Sequence, residues 1–286
     1  MTPAVLRERA AQAGFAAAAG LSIVAVALIC VFLFANGVPA MVQIGVPEFL
    51  LGTVWRPSSD EFGIFPMIVG SLYVTAGALV AGVPTGFLCA VYLSRFASKR
   101  AGALLRPGIE LLAGIPSVVY GFFGIMLIVP LIRENLGGRG FSLLAASLLL
   151  GIMILPTVVT VSKNALDAVP ASYYEGARAL GANHEQAVFK AVVPAAASGL
   201  TAAVVLGLGR AVGETMAVVM VAGNQPVIPD SVLDGVRTLT ANIVMEMGYA
   251  ADLHRGALIA TGVVLFVFVL LISALLGAVK RKGEVR

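Results

Sequence analysis

One charged pair lies inside an otherwise uncharged apolar segment. Arg210 and Glu214 are four residues apart within residues 197–222. On a helix this spacing places both side chains on one face, where they could pair. An arginine near the middle of a membrane costs about 3 kcal/mol or more, and its planar guanidinium matches the oxygens of an oxyanion. The pair is therefore either an internal ion pair that locks helix packing or part of an aqueous anion pathway, with Thr215 beside it; ionisable groups within membranes favour the pathway.

A second feature is a polar segment, residues 172–194 (SYYEGARALGANHEQAVFKAVVP). The pairs Ser172–Glu175 and Asn183–Gln186 have the spacing of capping boxes, which begin helices. Gly181 lies between them and can take the left-handed conformation that ends a helix. Pro194 opens the next apolar run, where its missing N–H costs little. The pattern predicts two short helices joined at a glycine corner, a rigid projection suited to another protein's groove. A solvated loop joining two spans is the alternative.

Composition restricts the class of protein. Of 286 residues, 59% are hydrophobic and only 12% are charged, against about 25% charged in soluble domains. The net charge of +4 is spread over the ends of apolar runs rather than gathered in one patch, so no nucleic-acid partner is expected. The two cysteines, Cys30 and Cys89, lie in apolar runs and imply no disulfide framework. These features predict a membrane protein in contact with lipid.

Catalytic and cofactor motifs are missing from the sequence. It has no Gly-x-x-x-x-Gly-Lys-Ser/Thr loop for ATP phosphates. His184, expected at the surface of the second short helix, and His254 fall on opposite sides of the membrane, so they cannot share a metal ion. No Ser/His/Asp or Cys/His set can be assembled on one membrane face. We therefore expect a chain with no enzymatic activity, no metal and no bound cofactor.

Six apolar runs are long enough to cross a membrane once. They are residues 15–34, 65–93, 111–132, 142–161, 197–222 and 258–279. The first run exceeds the apolar core of a cleaved signal peptide, about 7–15 residues, and is interpreted as a span. Pro84, Pro116 and Pro156 are each predicted to lie within a span, where each kinks its helix, for packing or to line a pathway.

The lysines and arginines predict the orientation. With the amino terminus in the cytoplasm, thirteen of them lie on that side and five lie outside. The positive-inside rule then places both termini and residues 172–194 in the cytoplasm. We expect two parts: residues 1–64, with the first span and an outer loop whose Trp55 anchors it at the membrane surface, and residues 65–286, a five-helix core. Residues 223–252 are predicted to include a short helix that lies at the outer surface or dips into it.

The polar segment resembles a known family motif. Glu175, Gly176 and Ala177, followed by Gly181 and Pro194, resemble the "EAA" loop of bacterial ABC importer permeases, with small or apolar replacements at three positions. In that family the loop is the coupling helix, which inserts into a cleft of the cytoplasmic ATPase. The resemblance implies an all-α polytopic membrane protein with six transmembrane helices and the type I importer permease (MetI-like) fold. It also implies that ATP binds to a partner chain.

Three further stretches resemble phosphate-importer permeases of the PstC type. They are GIPSVVYGFFG (114–124), GLGRAVGETMAVVMVAGN (207–224) and TLTANIVMEMGYA (238–250). This resemblance implies a phosphate importer of the bacterial inner membrane. Its partners would be a PstA-type permease subunit, two copies of an ATPase and a periplasmic phosphate-binding protein.

Other functions remain open at this point. Sulphate and molybdate are also tetrahedral oxyanions that an arginine would suit. A gradient-driven secondary transporter would be expected to carry several membrane carboxylates, and Glu214 is the only clear one here. A membrane-embedded enzyme would need a set of catalytic residues, which this sequence does not contain.

Overall fold

The computed structural model describes residues 3–284, which are helical along most of their length. The helices are α1 (Pro3–Ile44), α2 (Val46–Leu51), α3 (Phe65–Val91), α4 (Lys99–Gly114), α5 (Ser117–Phe123), α6 (Val129–Leu136), α7 (Leu143–Asp167), α8 (Ala171–Ala179), α9 (His184–Ala187), α10 (Val193–Ala195), α11 (Ala197–Gly213), α12 (Met216–Val221), α13 (Leu239–Glu246) and α14 (Asp252–Glu284). Five-residue π turns at Tyr92–Phe96, Gly124–Ile128 and Val188–Val192 continue α3, α5 and α9. The strands β1 (Trp55–Arg56) and β2 (Glu61–Phe62) pair antiparallel. Arg286, counted in the orientation argument, lies outside the described residues.

The predicted all-α polytopic fold is confirmed. Five helical segments are long and apolar enough to cross a membrane: Ala11–Ile44, Phe65–Phe96, Ser117–Leu136, Leu143–Asp167 and Asp252–Ala274. The bent pair His184–Ala195 and Ala197–Gly213, whose axes meet at 70°, makes a sixth crossing if it is counted as one span. The bend lies at Ala196, between α10 and α11. Residues 197–213 of the span predicted at 197–222 thus form one arm of a bent segment.

The third span is shorter than predicted. Helix α4 ends at Gly114, and Pro116 is the extended residue that precedes α5. A proline disfavours helical geometry in the residue before it, so the chain turns here and the span begins at Ser117, not near residue 111. The prediction that Pro116 kinks a span was therefore wrong. Pro84 in α3 and Pro156 in α7 do lie inside helices, as predicted.

Helices α3 and α7 form the most extensive helix pair of the described chain. Small residues let their backbones approach, as is usual where lipid-embedded helices cross. A methyl group added at Gly82 would lie 2.7 Å from the carbonyl oxygen of Gly151. Buried side chains of both helices, including Val74 and Leu149, fill the rest of this core. This close pair supports α11, because Gly207 packs on Val158 of α7.

The amino-terminal region packs on the last helix and on the loops at one end. Helix α1 lies along α14, and the β1–β2 hairpin adds Trp55 and Phe62 to a second core with Leu258. Trp55 is only 7% exposed. The prediction that Trp55 is a membrane-surface anchor was wrong, because its ring is enclosed by protein. The division into residues 1–64 and 65–286 stays a prediction.

The α3–α7 crossing leads to the first prediction. Replacing Gly82 with alanine should lower the free energy of unfolding by about 1–3 kcal/mol, because the added methyl overpacks the crossing. The measurement is the thermal unfolding of the detergent-purified protein. Gly20→Ala in α1 is the matched control, because an added methyl there meets nothing within 4 Å. Equal melting temperatures for the two variants would contradict the packing argument.

Candidate functional site

The span that carries Arg210 is broken immediately after it. Helix α11 ends at Gly213, and Glu214 is extended, with φ −70° and ψ 134°. The Glu214 carboxylate accepts from the Ala217 amide at 3.3 Å and so occupies the start of α12. Within residues 3–284, no salt bridge joins Arg210 to Glu214. The predicted i, i+4 pair on one helix was therefore wrong, because the helix does not continue through Glu214.

Arg210 is left with an unpaired charge. Its side chain is half-buried and makes no hydrogen bond or ion pair within the described part of the chain. Methyl groups added at the neighbouring Gly209 and Gly213 would meet nothing within 4 Å. The Thr215 hydroxyl donates to the Gly213 carbonyl at 3.2 Å, so it belongs to the same break. The Arg210 guanidinium therefore has open space beside it and N–H donors that no described residue uses.

The break is supported by α13. Thr240 donates its hydroxyl to the Glu214 carbonyl at 3.1 Å, and Thr238 caps α13 by accepting from the Ala241 amide. The Leu239 amide donates to the Ser71 hydroxyl of α3 at 2.9 Å. The short helix predicted within residues 223–252 is confirmed, but it packs into the protein, because its first four residues are buried. The contact of Thr240 with Glu214 was not predicted, because the helical spacing of Thr240 with Val236 and Val244 indicates only a helix.

A buried polar cluster holds α13 in place. Glu246 accepts from Arg237 at 2.7 Å through one carboxylate oxygen. Its other oxygen accepts from the Trp55 indole N–H at 2.9 Å and contacts His254 Nε2 at 2.9 Å. Arg237 also donates to the Asn224 carbonyl at 3.0 Å. This cluster joins the amino-terminal hairpin to α13 and α14; we call it the outer polar cluster, after the side of the membrane predicted for it from the sequence. It could not be predicted from local patterns, since Trp55 and Glu246 are 191 residues apart.

The outer polar cluster leads to the second prediction. Glu246→Gln should destabilise the protein by about 3–5 kcal/mol, because the Arg237 charge then stays buried without its partner. Trp55→Phe should cost about 1 kcal/mol, the value of one hydrogen bond. Thermal unfolding in detergent measures both. Glu61→Gln is the control, because its pair with Arg56 is exposed and worth about 0–1 kcal/mol. A control as destabilising as Glu246→Gln would refute the assignment.

The polar segment forms the predicted projection of two helices and a glycine corner, with one change. Helix α8 begins at Ala171 after Pro170, without a side-chain cap. The capping box predicted for Ser172 and Glu175 was wrong, because Pro170, two residues before Ser172, is the N-cap residue, and Ser172 already lies inside the helix. The second capping box is present: the Asn183 side chain accepts from the Gln186 amide at 2.7 Å, and the Gln186 side chain accepts from the Asn183 amide at 3.0 Å.

Gly181 forms the corner as predicted. Its φ is +89°, in the left-handed region. Its amide donates to the Arg178 carbonyl at 3.0 Å, and the Ala182 amide donates to the Ala177 carbonyl at 3.1 Å. These two bonds form a Schellman motif, which satisfies the last carbonyls of α8. We call residues 171–195 the coupling element, as the resemblance implies.

The coupling element exposes the residues that the resemblance selects. Glu175 and Gly176 are exposed on α8, Ala177 is half-buried, and Leu180 at the tip is 91% exposed. Pro194 is exposed and lies in the first turn of α10, as predicted for a proline at a helix start. Helix α10 itself continues from α9 through the π turn Val188–Val192. The helix widens at this turn, before a residue that cannot donate its N–H.

The third prediction concerns this corner. Gly181→Ala should cost about 1–2 kcal/mol locally, because a side chain in the left-handed region is strained. The measurement is hydrogen–deuterium exchange of the amides from Ala182 to Ala187, which should accelerate. Gly176→Ala is the matched control, because it lies in α8 with nothing within 4 Å of an added methyl. The same exchange rates in both variants would exclude a strained corner.

The comparisons with known proteins identify the family. A family model described as the binding-protein-dependent transport system inner membrane component matches residues 82–284. This chain belongs to that family. It is 41% identical over 270 residues to the probable ABC transporter permease protein YqgH of Bacillus subtilis (strain 168), covering 91% of this chain and 87% of that protein. It is 35% identical over 252 residues to the phosphate transport system permease protein PstC of Haemophilus influenzae, covering 80% of each chain.

The fold agrees with this family. The MetNI methionine ABC transporter in an inward-facing conformation superposes with a TM-score of 0.57 at 23% identity, over 77% of this chain and 94% of that one. This likeness confirms the predicted MetI-like permease fold. The predicted resemblance to PstC-type permeases is confirmed as well. The chain is thus a polytopic, non-catalytic membrane component of the ABC transporter permease class.

Proposed function

We propose that this chain is the PstC-type membrane subunit of an ATP-driven importer of inorganic phosphate. The observation that carries the proposal is Arg210, a half-buried guanidinium without a protein partner among the described residues, at a helix break within a span. A permease of Haemophilus influenzae that is 35% identical carries the name of the phosphate transport system. The sequence identity supports phosphate as the substrate, and the Arg210 guanidinium is a group that can bind it.

The geometry at the break suits transient anion binding. The Glu214 carboxylate caps α12, so it leaves the Arg210 charge uncompensated. A planar guanidinium binds two oxygens of a tetrahedral oxyanion at once, and in a partly dehydrated site this attraction is much stronger than in water. Thr215 follows Glu214 in the chain. Its hydroxyl can donate to an anion once its hydrogen bond to the Gly213 carbonyl is broken. Arg210, Glu214 and Thr215 thus form the proposed pathway site.

The energy would arrive through the coupling element. Glu175, Gly176, Ala177, Gly181 and Pro194 are proposed to contact a cytoplasmic ABC ATPase that binds the ATP. The exposed Leu180 offers an apolar tip for such a contact, because an exposed leucine gains free energy when a partner buries it. A PstA-type permease would form the other half of the pathway. A periplasmic phosphate-binding protein would deliver the substrate.

The same proposal fixes the orientation. Both termini and the coupling element lie in the cytoplasm, and the outer polar cluster lies on the periplasmic side of the inner membrane. The excess of lysine and arginine on one side supports this arrangement. Lipid surrounds the apolar faces of the spans, including the exposed side of α1.

The fourth prediction tests the pathway arginine. Arg210→Gln should reduce phosphate uptake about 30-fold or more, because it removes charged hydrogen bonds worth about 2 kcal/mol. Arg210→Lys should retain an intermediate rate, since it keeps the charge and loses the fork. Uptake of radiolabelled phosphate is measured in cells with the complete transporter. Arg133→Gln, an exposed arginine on α6, is the control.

The outcomes separate the proposal from its alternatives. Normal phosphate uptake by Arg210→Gln would remove the pathway role. ATPase activity that rises with a sulphate-loaded or molybdate-loaded binding protein, and not with a phosphate-loaded one, would change the substrate. Full uptake after deletion of the ATPase subunit would indicate a gradient-driven transporter instead.

A further inference from the structure

One histidine joins the coupling element to the end of a neighbouring span. His184, at the start of α9, is half-buried rather than at the surface as expected. Its Nδ1 lies 2.8 Å from the Tyr174 hydroxyl of α8, and its Nε2 lies 3.1 Å from the Arg95 carbonyl in the π turn that ends α3. The Phe96 ring packs edge-on against the imidazole, with centroids 4.6 Å apart. One side chain of α9 therefore contacts two other structural elements, α8 and the π turn that ends α3.

The two hydrogen-bond partners of His184 determine which ring nitrogen carries the hydrogen. A carbonyl oxygen only accepts, so Nε2 carries the hydrogen that reaches Arg95. In the neutral ring Nδ1 then accepts from Tyr174. Both ring nitrogens are thus used, one toward α8 and one toward α3. The two helices of the coupling element are consequently tied to each other and to the end of α3 through the same imidazole.

The end of α3 is tied in turn to the end of α7. Arg95 donates to the Leu166 carbonyl at 2.5 Å, and the Ser94 hydroxyl donates to Asp167 at 2.6 Å. Lys163 pairs with the same carboxylate at 2.5 Å. Helices α3 and α7 then run together through their close glycine crossing. Any displacement that reaches Arg95 is therefore shared by both helices.

This pair leads to the pathway. Helix α11, which carries Arg210, packs on α7 where Gly207 meets Val158. A continuous line of contacts thus runs from His184 through Arg95 to α3 and α7, and from α7 to α11. The coupling element also packs directly on both helices, because Val188 and Val192 share a buried apolar core with Val91 and Leu166. Its covalent route into α11 passes through Ala196 and is bent by 70°.

We propose that His184 is a positioning residue, which adds directional hydrogen bonds to the apolar contact and makes α3 and α7 follow the coupling element. This inference rests on the proposed function, because it needs an ATPase that moves the element. When the hydrogen bonds of His184 are lost, the element still docks on the ATPase and still moves. Helices α3 and α7 follow less completely, so each cycle of ATP hydrolysis opens the pathway less often.

The test is the number of ATP molecules hydrolysed per phosphate transported, measured with the complete transporter in proteoliposomes. His184→Phe keeps a ring against Phe96 and removes both hydrogen bonds, so the ratio should rise about fivefold or more, the effect of about one lost hydrogen bond on an equilibrium. His184→Gln, whose amide can donate and accept at once, should return the ratio to within about twofold of wild type. Tyr174→Phe should raise it partway.

The matched control is Tyr92→Phe, at an exposed tyrosine of the α3 π turn whose hydroxyl makes no hydrogen bond within residues 3–284. Its ratio should equal that of the wild type. The inference is overturned by an unchanged ratio in assembled His184→Phe, by parallel losses of hydrolysis and uptake, or by loss of ATPase binding, which would make His184 a docking residue. If His184→Phe does not fold, an unchanged ratio in Tyr174→Phe overturns it. A wild-type complex without ATP-driven phosphate uptake would instead refute the proposed function.

Discussion

A helix that is interrupted inside a membrane must find new partners for the backbone groups that the break frees, because hydrocarbon offers none. In this protein the interruption follows Gly213, and two side chains meet the demand. Thr240 donates to the Glu214 carbonyl, and the Glu214 carboxylate accepts from the Ala217 amide in the first turn of the next helix. Once Glu214 is committed to its own backbone, it is lost to Arg210. The unpaired arginine is thus a consequence of how the break is satisfied.

The supports of this break extend to the start of the chain. Thr240 lies on α13, α13 is held by Glu246, and Glu246 accepts from Trp55 of the amino-terminal hairpin. Burying the Glu246 charge is tolerable only because Arg237 and two further donors surround it. The residues before the family match at 82–284 therefore stabilise the segment that contacts the proposed pathway.

Local signals in the sequence predicted local structure well. The Gly181 corner and the Asn183 capping box depend on residues within a few positions, and both formed. The Ser172 box failed because Pro170 offered a competing start. The prediction of an Arg210–Glu214 pair was wrong because an apolar run with scattered glycines has the pattern of one continuous helix. The tertiary contact from Thr240, which helps to stabilise the interruption at Glu214, leaves no local signal. Contacts of long sequence separation, such as Trp55 with Glu246, leave no periodicity to detect.

The angle between the coupling element and α11 determines what kind of motion can pass between them. If the two helices were collinear, a push on the first would move the second along the membrane normal. Here the axes meet at 70°, so a displacement along the first helix reaches the second almost at right angles. The bent segment that carries Arg210 would then rotate about the corner at Ala196. Such a rotation widens one end of a helix bundle while it narrows the other.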